Sequence, residues 1–472
     1  HSLDVLGKVA GSCGSHGSGS THVLARHRAV VHDPNVRACV FEPFIRDRQP
    51  MALNQPLAVL STTLVALIAL AALVVPPATA QDTRLSGTLA RYEVQAALGY
   101  VDEARSETAA FLATIGAIVS PSGQEHERAE AVAERMRAIG LDSVRVTESP
   151  NAIGVIPGRS GRALVFVSTL DDLATVAEHQ RAASAPPTVQ SDRVVGPGTS
   201  TSLTTAAILA AADAYLASGL RPEHDLVFAA VAQEETGLRG MKALYEQYQD
   251  RADAFVDVLG DGQSISYGAL GIHWWRVVAE GPPGHTLSGG MPNLNQAIGR
   301  AVDRILSLPA ASNTDETRTR LNISMLQSGA VFNHKPATGW FSLDIRSMEA
   351  DVIDRIERDV RSILDDVSEE TGIELRMEPF QLTPGGRIPG ALASRLVRTA
   401  QAVSRHLGYE PRMSESGSAN LNVAIGAGTP AIGLGGSRGG DRGLATEWAD
   451  IDGMMRTAKH VLLLAAALGE ER

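Results

Sequence analysis

The 472-residue chain is 44% hydrophobic and 20% charged, the balance of a globular protein with a sizeable core and room for two to three domains. A formal net charge of -11 argues against nucleic acid as a partner, because phosphate binding needs a basic face. The two cysteines, Cys13 and Cys39, both lie near the start, so a chain processed downstream of them has no disulfide to form.

Residues 1–50 are rich in His, Gly, Ser and Arg without clear periodicity, and they read as a non-native upstream segment. Met51 then opens an apolar run from Leu57 to Val75, two prolines, and Ala78-Thr79-Ala80 before Gln81. That order predicts a signal peptide over 51–80 with cleavage after Ala80, and hence an exported protein, periplasmic or secreted. The run over 57–75 is also long enough to serve as a membrane anchor, and the segment before it lacks the Lys or Arg usual in a signal.

From about Arg91 the chain alternates helical and strand patterns, as α/β folds do. Residues 92–118 and 124–139 carry apolar positions at helical spacing. Leu164-Val-Phe-Val-Ser168 and Asp225–Ala232 are short apolar runs of the kind buried on both faces of a sheet. Between them lies an Ala-rich helix, Leu203–Leu216. The second strand delivers Glu234 and Glu235 at its carboxyl end, where ligands bind in open α/β sheets. Adjacent carboxylates there suit a hydrolase in which one glutamate holds a cation and the other takes a proton from water, although such a pair is also common at a solvated helix start.

The pattern then changes. Residues 273–280 alternate like an antiparallel strand, Gly281-Pro-Pro-Gly-His285 makes a turn, and 294–306 a helix. Strands near 322–325 and 338–346, a helix over 351–371 and a strand near 373–377 complete a βαββαβ order. This predicts an inserted ferredoxin-like α+β domain, a dimerisation or lid module, over 280–385, dividing an α/β domain of 86–279 and 386–472. A helix over 392–407, a strand at 430–434, a glycine-rich loop and a helix over 452–468 close the α/β domain.

Several blocks in this order resemble the di-zinc exopeptidases and amidohydrolases, the family of aminoacylases, succinyl-diaminopimelate desuccinylases, tripeptide aminopeptidases and glutamate carboxypeptidases. They are Gly196-Pro-Gly-Thr-Ser200, Gln233-Glu-Glu-Thr-Gly-Leu-Arg-Gly-Met-Lys242, Gly281-Pro-Pro-Gly-His285, Ser328-Gly-Ala-Val-Phe-Asn333, Asp344-Ile-Arg-Ser347, and Gly428–Gly435 followed by Glu447-Trp448. The resemblance implies a mixed-sheet α/β fold, a zinc pair held by carboxylates and histidines, and hydrolysis of a peptide or N-acyl amino acid.

Carried over residue by residue, the resemblance puts the general base at Glu234, a retained ligand at Glu235, and a supporting aspartate at Asp171. The other ligand positions hold Thr169, Thr201, Leu259 and Gly443, with Asp257 and Asp261 close enough to substitute at the position of Leu259. A hydroxyl is a poor zinc ligand and leucine and glycine offer none, so the site reads as dismantled and zinc as absent or weakly bound, a pseudoenzyme. The opposing reading is an active hydrolase with a rearranged site, in which Asp171, Asp172, Asp257, Asp261, His273 or His285 supply ligands. His273 reads better as a strand histidine facing solvent or packing beside Trp274 and Trp275. His285 and Asn333 match substrate-contacting positions on the inserted domain, and the loop 433–440 offers backbone N–H groups to an anion. Without cations, one of Glu234 and Glu235 should titrate above a normal glutamate unless an arginine or lysine moves in.

Overall fold

The computed structural model describes residues 80–309 and 314–469. The upstream segment 1–50 and the apolar run 57–75 lie outside the described residues, as does the signal 51–80 up to its last residue, Ala80. Among the described residues no helix is long and apolar enough to cross a membrane.

Eight strands form the main sheet, in the spatial order Asp142–Val146, Ala152–Ile156, Asp225–Val231, Ala163–Thr169, Ala252–Val258, Ala431–Gly435, Ser264–Ser266 and Arg412–Ser414. The middle four run parallel, so their carboxyl ends share one edge. The flanking strands Ala152–Ile156 and Ser264–Ser266 join them antiparallel, making the sheet mixed. Side chains alternate across a pleated strand, so the apolar run at 163–169 feeds two cores. Leu164 and Phe166 face one layer, and Val165 and Val167 face the other. Phe166 stacks on Phe228 of the neighbouring strand with ring centroids 5.4 Å apart.

The first layer holds the helices Thr199–Ala217 and Ile451–Leu468, and the second holds Arg239–Tyr248 and Leu421–Gly426. Alanines at 206, 207 and 210–212 let the helix Thr199–Ala217 lie close against the sheet and its neighbours. Its N-cap, Gly198, has φ 87°, and a Cβ there would meet Gly116 O at 2.7 Å, so only glycine fits. The periodic stretch 92–118 is two helices, Tyr92–Glu103 and Arg105–Ala117, divided at Ala104.

A second antiparallel sheet is ordered Arg320–Asn322, Thr338–Ser347, Gly271–Glu280, Glu374–Thr383, with Leu326–Ser328 also paired to Thr338–Ser347. Helices Leu294–Leu306 and Ala350–Thr371 cover one face, burying Trp275, Val277 and Ala279 on alternate positions of the central strand. The first boundary of this domain therefore lies before Gly271 and not at residue 280. The Gly281-Pro-Pro turn breaks the chain there, but all of Gly271–Glu280 pairs with Thr338–Ser347. The strand expected near 322–325 is Arg320–Asn322, followed by the separate strand Leu326–Ser328.

Candidate active site

The shared carboxyl edge of the parallel strands gathers most of the chemistry. Past Val231 the chain turns sharply, with left-handed φ values at Gln233 (55°), Gly237 (107°) and Leu238 (57°). Left-handed backbone at a non-glycine residue is strained and persists only where the surroundings hold it. Here three side chains do so. Asn151 Oδ1 accepts from Ala232 N at 2.9 Å, Glu125 Oε1 from Gln233 N at 3.0 Å, and the two oxygens of Asp171 from Glu234 N at 2.8 Å and Glu235 N at 3.0 Å. Asp171 thus anchors the Glu-Glu turn through its backbone and engages neither glutamate side chain. Ser122 Oγ donates to the same carboxylate.

Thr169 ends its strand with Oγ1 accepting from Asn420 Nδ2 at 3.2 Å, and Asn420 also reaches Asp257 Oδ1 at 3.4 Å. Asp257 Oδ2 accepts from Leu421 N at 3.1 Å, the start of the short helix Leu421–Gly426. On the other side, buried Glu447 accepts from Ser200 N at 2.9 Å and Ser200 Oγ at 2.7 Å, and from Gly443 N at 3.4 Å. That link brings Gly443 beside the N-terminus of the helix carrying Thr201, whose buried Oγ1 has no hydrogen-bond partner. Thr169 and Asp257 are therefore joined through Asn420, and Gly443 and Thr201 through Glu447 and Ser200.

Like charges and burial shape the electrostatics. Glu234 is pushed up to about 8, first by desolvation and then by Glu235, Asp171 and Asp257. Burial raises Glu235 as well, against the lowering effect of Arg442 and Arg438, and lifts Asp257 to about 6 despite its donors Leu421 N and Asn420. Arg442 Nη2 lies 3.2 Å from Glu235 Oε1. Arg438, half-buried on the loop after Gly435, is depressed to about 10 by desolvation and Arg442, while Glu234, Asp257 and Glu235 hold it up. Among the described residues no group of three or more His, Cys, Asp or Glu side chains is placed to hold a metal ion.

Other predicted residues lie elsewhere. Asp261 Oδ2 accepts from Arg456 Nε and Tyr409 OH, each at 3.1 Å, while its buried Oδ1 has no hydrogen-bond partner. Leu259 packs against the second core and donates its N–H to Leu434 O at 2.8 Å. Asp172 is buried against Arg128 at 2.6 Å. His273 sits in the second sheet with Nδ1 2.6 Å from Glu357 Oε1, a partner that the solvent-facing or tryptophan-packed reading missed. His285 and Asn333 meet each other, Asn333 Nδ2 to His285 Nε2 at 3.0 Å, with His334 Nδ1 2.9 Å from Asn333 Oδ1. Neither bonds to the residues around Glu234. They flank a cleft of about 480 Å³ that includes His334, Lys335 and Phe332.

Sequence reasoning treated the loop 433–440 as a source of backbone donors and overlooked Arg438 and Arg442. Two basic residues in a glycine-rich loop just before Glu447 were the available signal. Glu125 and Ser122 carried none, since their role depends on a turn over a hundred residues away.

Residues 172–467, more than half the chain, match the family described as peptidase family M20/M25/M40. Succinyl-diaminopimelate desuccinylase of Corynebacterium glutamicum is 26% identical over 282 residues, covering 58% of this chain and 74% of that protein. In fold, the chain is similar to aminopeptidase PepT from Bacillus cereus (TM-score 0.64, 16% identity, 77% of this chain and 98% of that one). It is equally similar to a tripeptidase from Staphylococcus aureus (TM-score 0.64, 19% identity, 77% and 98%). The mixed sheet and the smaller inserted sheet accord with these likenesses in fold, and the chain belongs to peptidase family M20/M25/M40.

Proposed function

We propose that this family member has a degenerate metal site with little or no hydrolase activity, and that it binds a peptide or N-acyl amino acid in the cleft beside Glu234. One observation carries the reading: Glu235, the retained ligand position, is already paired with Arg442 at 3.2 Å. The donor set supports it. Zinc is held by three or four nitrogen, sulfur or carboxylate ligands, whereas Thr169 and Thr201 offer neutral hydroxyls, Leu259 and Gly443 offer nothing, and two guanidinium groups occupy the neighbourhood. These residues do not fit a zinc pair. Without a Lewis acid, water keeps its high pKa, and Glu234 alone does not make it a nucleophile.

Metal analysis of the purified protein, with hydrolysis of dipeptides and N-acetyl amino acids in added Zn2+, Co2+ or Mn2+, tests the proposal. Substoichiometric metal and background turnover are expected, with binding of the same compounds detectable by calorimetry. Stoichiometric zinc with turnover abolished by Glu234→Gln would establish the alternative, an active amide hydrolase with a rearranged site. The Glu-Glu turn favours that alternative, because Asp171 holds it ready through two backbone N–H groups.

Export belongs to the same proposal and is supported by the sequence at 57–80; terminal sequencing from the producing cell should start at or near Gln81. A homodimer through the inserted domain is supported by the exposed Leu287, Met291, Val331 and Phe332 around the His285–Asn333 cleft, and sedimentation tests it.

A further inference from the structure

The second sheet turns Trp275, Val277 and Ala279 toward its helices, so Trp274 and Arg276 of the same strand belong to the opposite face. The register sets Arg276 across from Ser342 on one side and Glu378 on the other, with Trp340 one diagonal step away. A β-bulge then adds a residue. Trp274 pairs with Gln381 and Trp275 with Pro379, which leaves Phe380 between them unpaired. Bulges re-aim a side chain, and Phe380, 66% exposed, comes to lie beside Arg276. The guanidinium carbon of Arg276 is 4.7 Å from the ring centroid of Trp340 and 5.9 Å from that of Phe380. With Trp274 and Met325 these three line a cavity of about 320 Å³. The nearby carboxylates have other partners: Glu378 pairs with Arg376 at 2.6 Å and Asp344 with Arg346 at 2.9 Å. Among the described residues Arg276 has no hydrogen bond and no ion pair, and the indole N–H groups of Trp274 and Trp340 have no acceptor and stay open to solvent.

We infer that this cavity is a second ligand site, sharing no residue with the acidic cluster at Glu234, and that it takes a small organic anion built on a flat apolar ring, in its simplest form an aryl carboxylate. A guanidinium and two indole N–H groups donate hydrogen bonds and accept none, so the occupant supplies acceptors. Held against two rings, Arg276 is positioned and partly desolvated without spending its N–H donors, and its fork matches a carboxylate. The charge left without a partner here is positive in a chain of net charge -11, which makes the cavity complementary to an anion by local construction. Phe380 and the half-exposed Met325 offer apolar surface to the body of the ligand. Ligand cavities run from about 300 to 1,000 Å³, and this one sits at the lower end, suiting a compound of one or two rings and not a chain of residues.

Calorimetric titration of the full chain with 2-naphthoate, and with the uncharged 2-naphthamide, tests the site. The parent should bind naphthoate saturably and one to one, and the amide about tenfold more weakly or worse. Arg276→Met should lose a similar factor for naphthoate, and Arg276→Lys, which keeps the charge without the fork, should fall between it and the parent. Phe380→Ser removes ring surface and should weaken binding about threefold or more. Both side chains are exposed, so the variants should melt with the parent; should Arg276→Met not fold, the amide comparison and Phe380→Ser decide. No saturable binding, equal affinity for acid and amide, or an Arg276→Met variant that binds like the parent overturns the inference. So does a loss in Arg442→Met as large as in Arg276→Met, which would move the ligand to the cleft beside Glu234. In sedimentation, a parent dimer that both Arg276→Met and Phe380→Ser dissociate would give the face to a second copy of the chain and overturn the small-ligand reading as well.

Discussion

Two carboxylates near the same sheet edge, the buried Asp172 and the half-buried Glu234, meet opposite treatment. Asp172 Oδ2 takes Arg128 Nη2 at 2.6 Å and Gln180 Nε2 at 3.1 Å, and Arg128 also donates to Leu170 O at 2.8 Å. Both side chains of the pair are essentially inaccessible. Glu234 has like charges around it, no hydrogen bond to its carboxylate among the described residues, and arginines acting through space. Contact pairing serves the fold, since it makes burial of a charge tolerable. A carboxylate kept half-buried without contact costs stability, and such groups concentrate where a ligand is met.

That contrast predicts unequal responses to removing an arginine. Arg128→Met leaves Asp172 buried and unpaired, which should cost about 3–5 kcal/mol. Arg442→Met removes a partner from a pair that is 41% and 28% exposed, and should cost about 1 kcal/mol or less. Urea denaturation of both variants at neutral pH measures the difference. Equal losses would break the comparison.

Acid should weaken the protein through a different, fully buried region and not through the residues around Glu234. His460 is fully buried with Nδ1 3.2 Å from Asp261 O, and burial pushes it down to about 4. In the unfolded chain an ordinary histidine takes up its proton near pH 6.5, so between there and pH 4 the unfolded state binds a proton that the folded state refuses. Stability from this group is complete above 6.5 and lost as pH falls, by about 3 kcal/mol in all. His460→Gln should flatten the decline between pH 7 and pH 4.5 in thermal or denaturant melts. A variant that declines as steeply as the parent would place the acid sensitivity elsewhere.

How legible all this was depended on whether the determinant was local. Apolar runs at 164–168 and 225–232 announced buried strands, and the helical periodicity of 351–371 and 452–468 matches the helices Ala350–Thr371 and Ile451–Leu468. The boundary at 280 was misjudged because a Pro-Pro turn is a strong local signal, whereas pairing of the strand Gly271–Glu280 is non-local. The Glu-Glu turn could be picked out from its residues, but not what fastens it: Glu125 and Asp171 are set against it only by tertiary packing. Asp261 looked as eligible as Asp257 from spacing alone. The turn after the strand Ala252–Val258 sends it instead toward Arg456 on the last helix.

The cleft itself should respond to pH in the opposite sense from His460. Glu234 is raised from 4.5 to about 8, so the folded state holds its proton through a range where the unfolded chain has released it. The stability this lends is complete below 4.5 and is lost as pH climbs through 8. Replacement by a neutral isostere removes the term, so Glu234→Gln should match the parent at pH 4 and become progressively more stable relative to it up to pH 8, then level off. Partial exposure of the side chain screens the effect, leaving an advantage on the order of 1–2 kcal/mol at pH 8. Paired melts of parent and variant across pH 4–9 measure it. A variant less stable than the parent at pH 8 would mean that the ionised carboxylate is held by contacts of its own, and the distinction between Glu234 and the contact-paired Asp172 would fall.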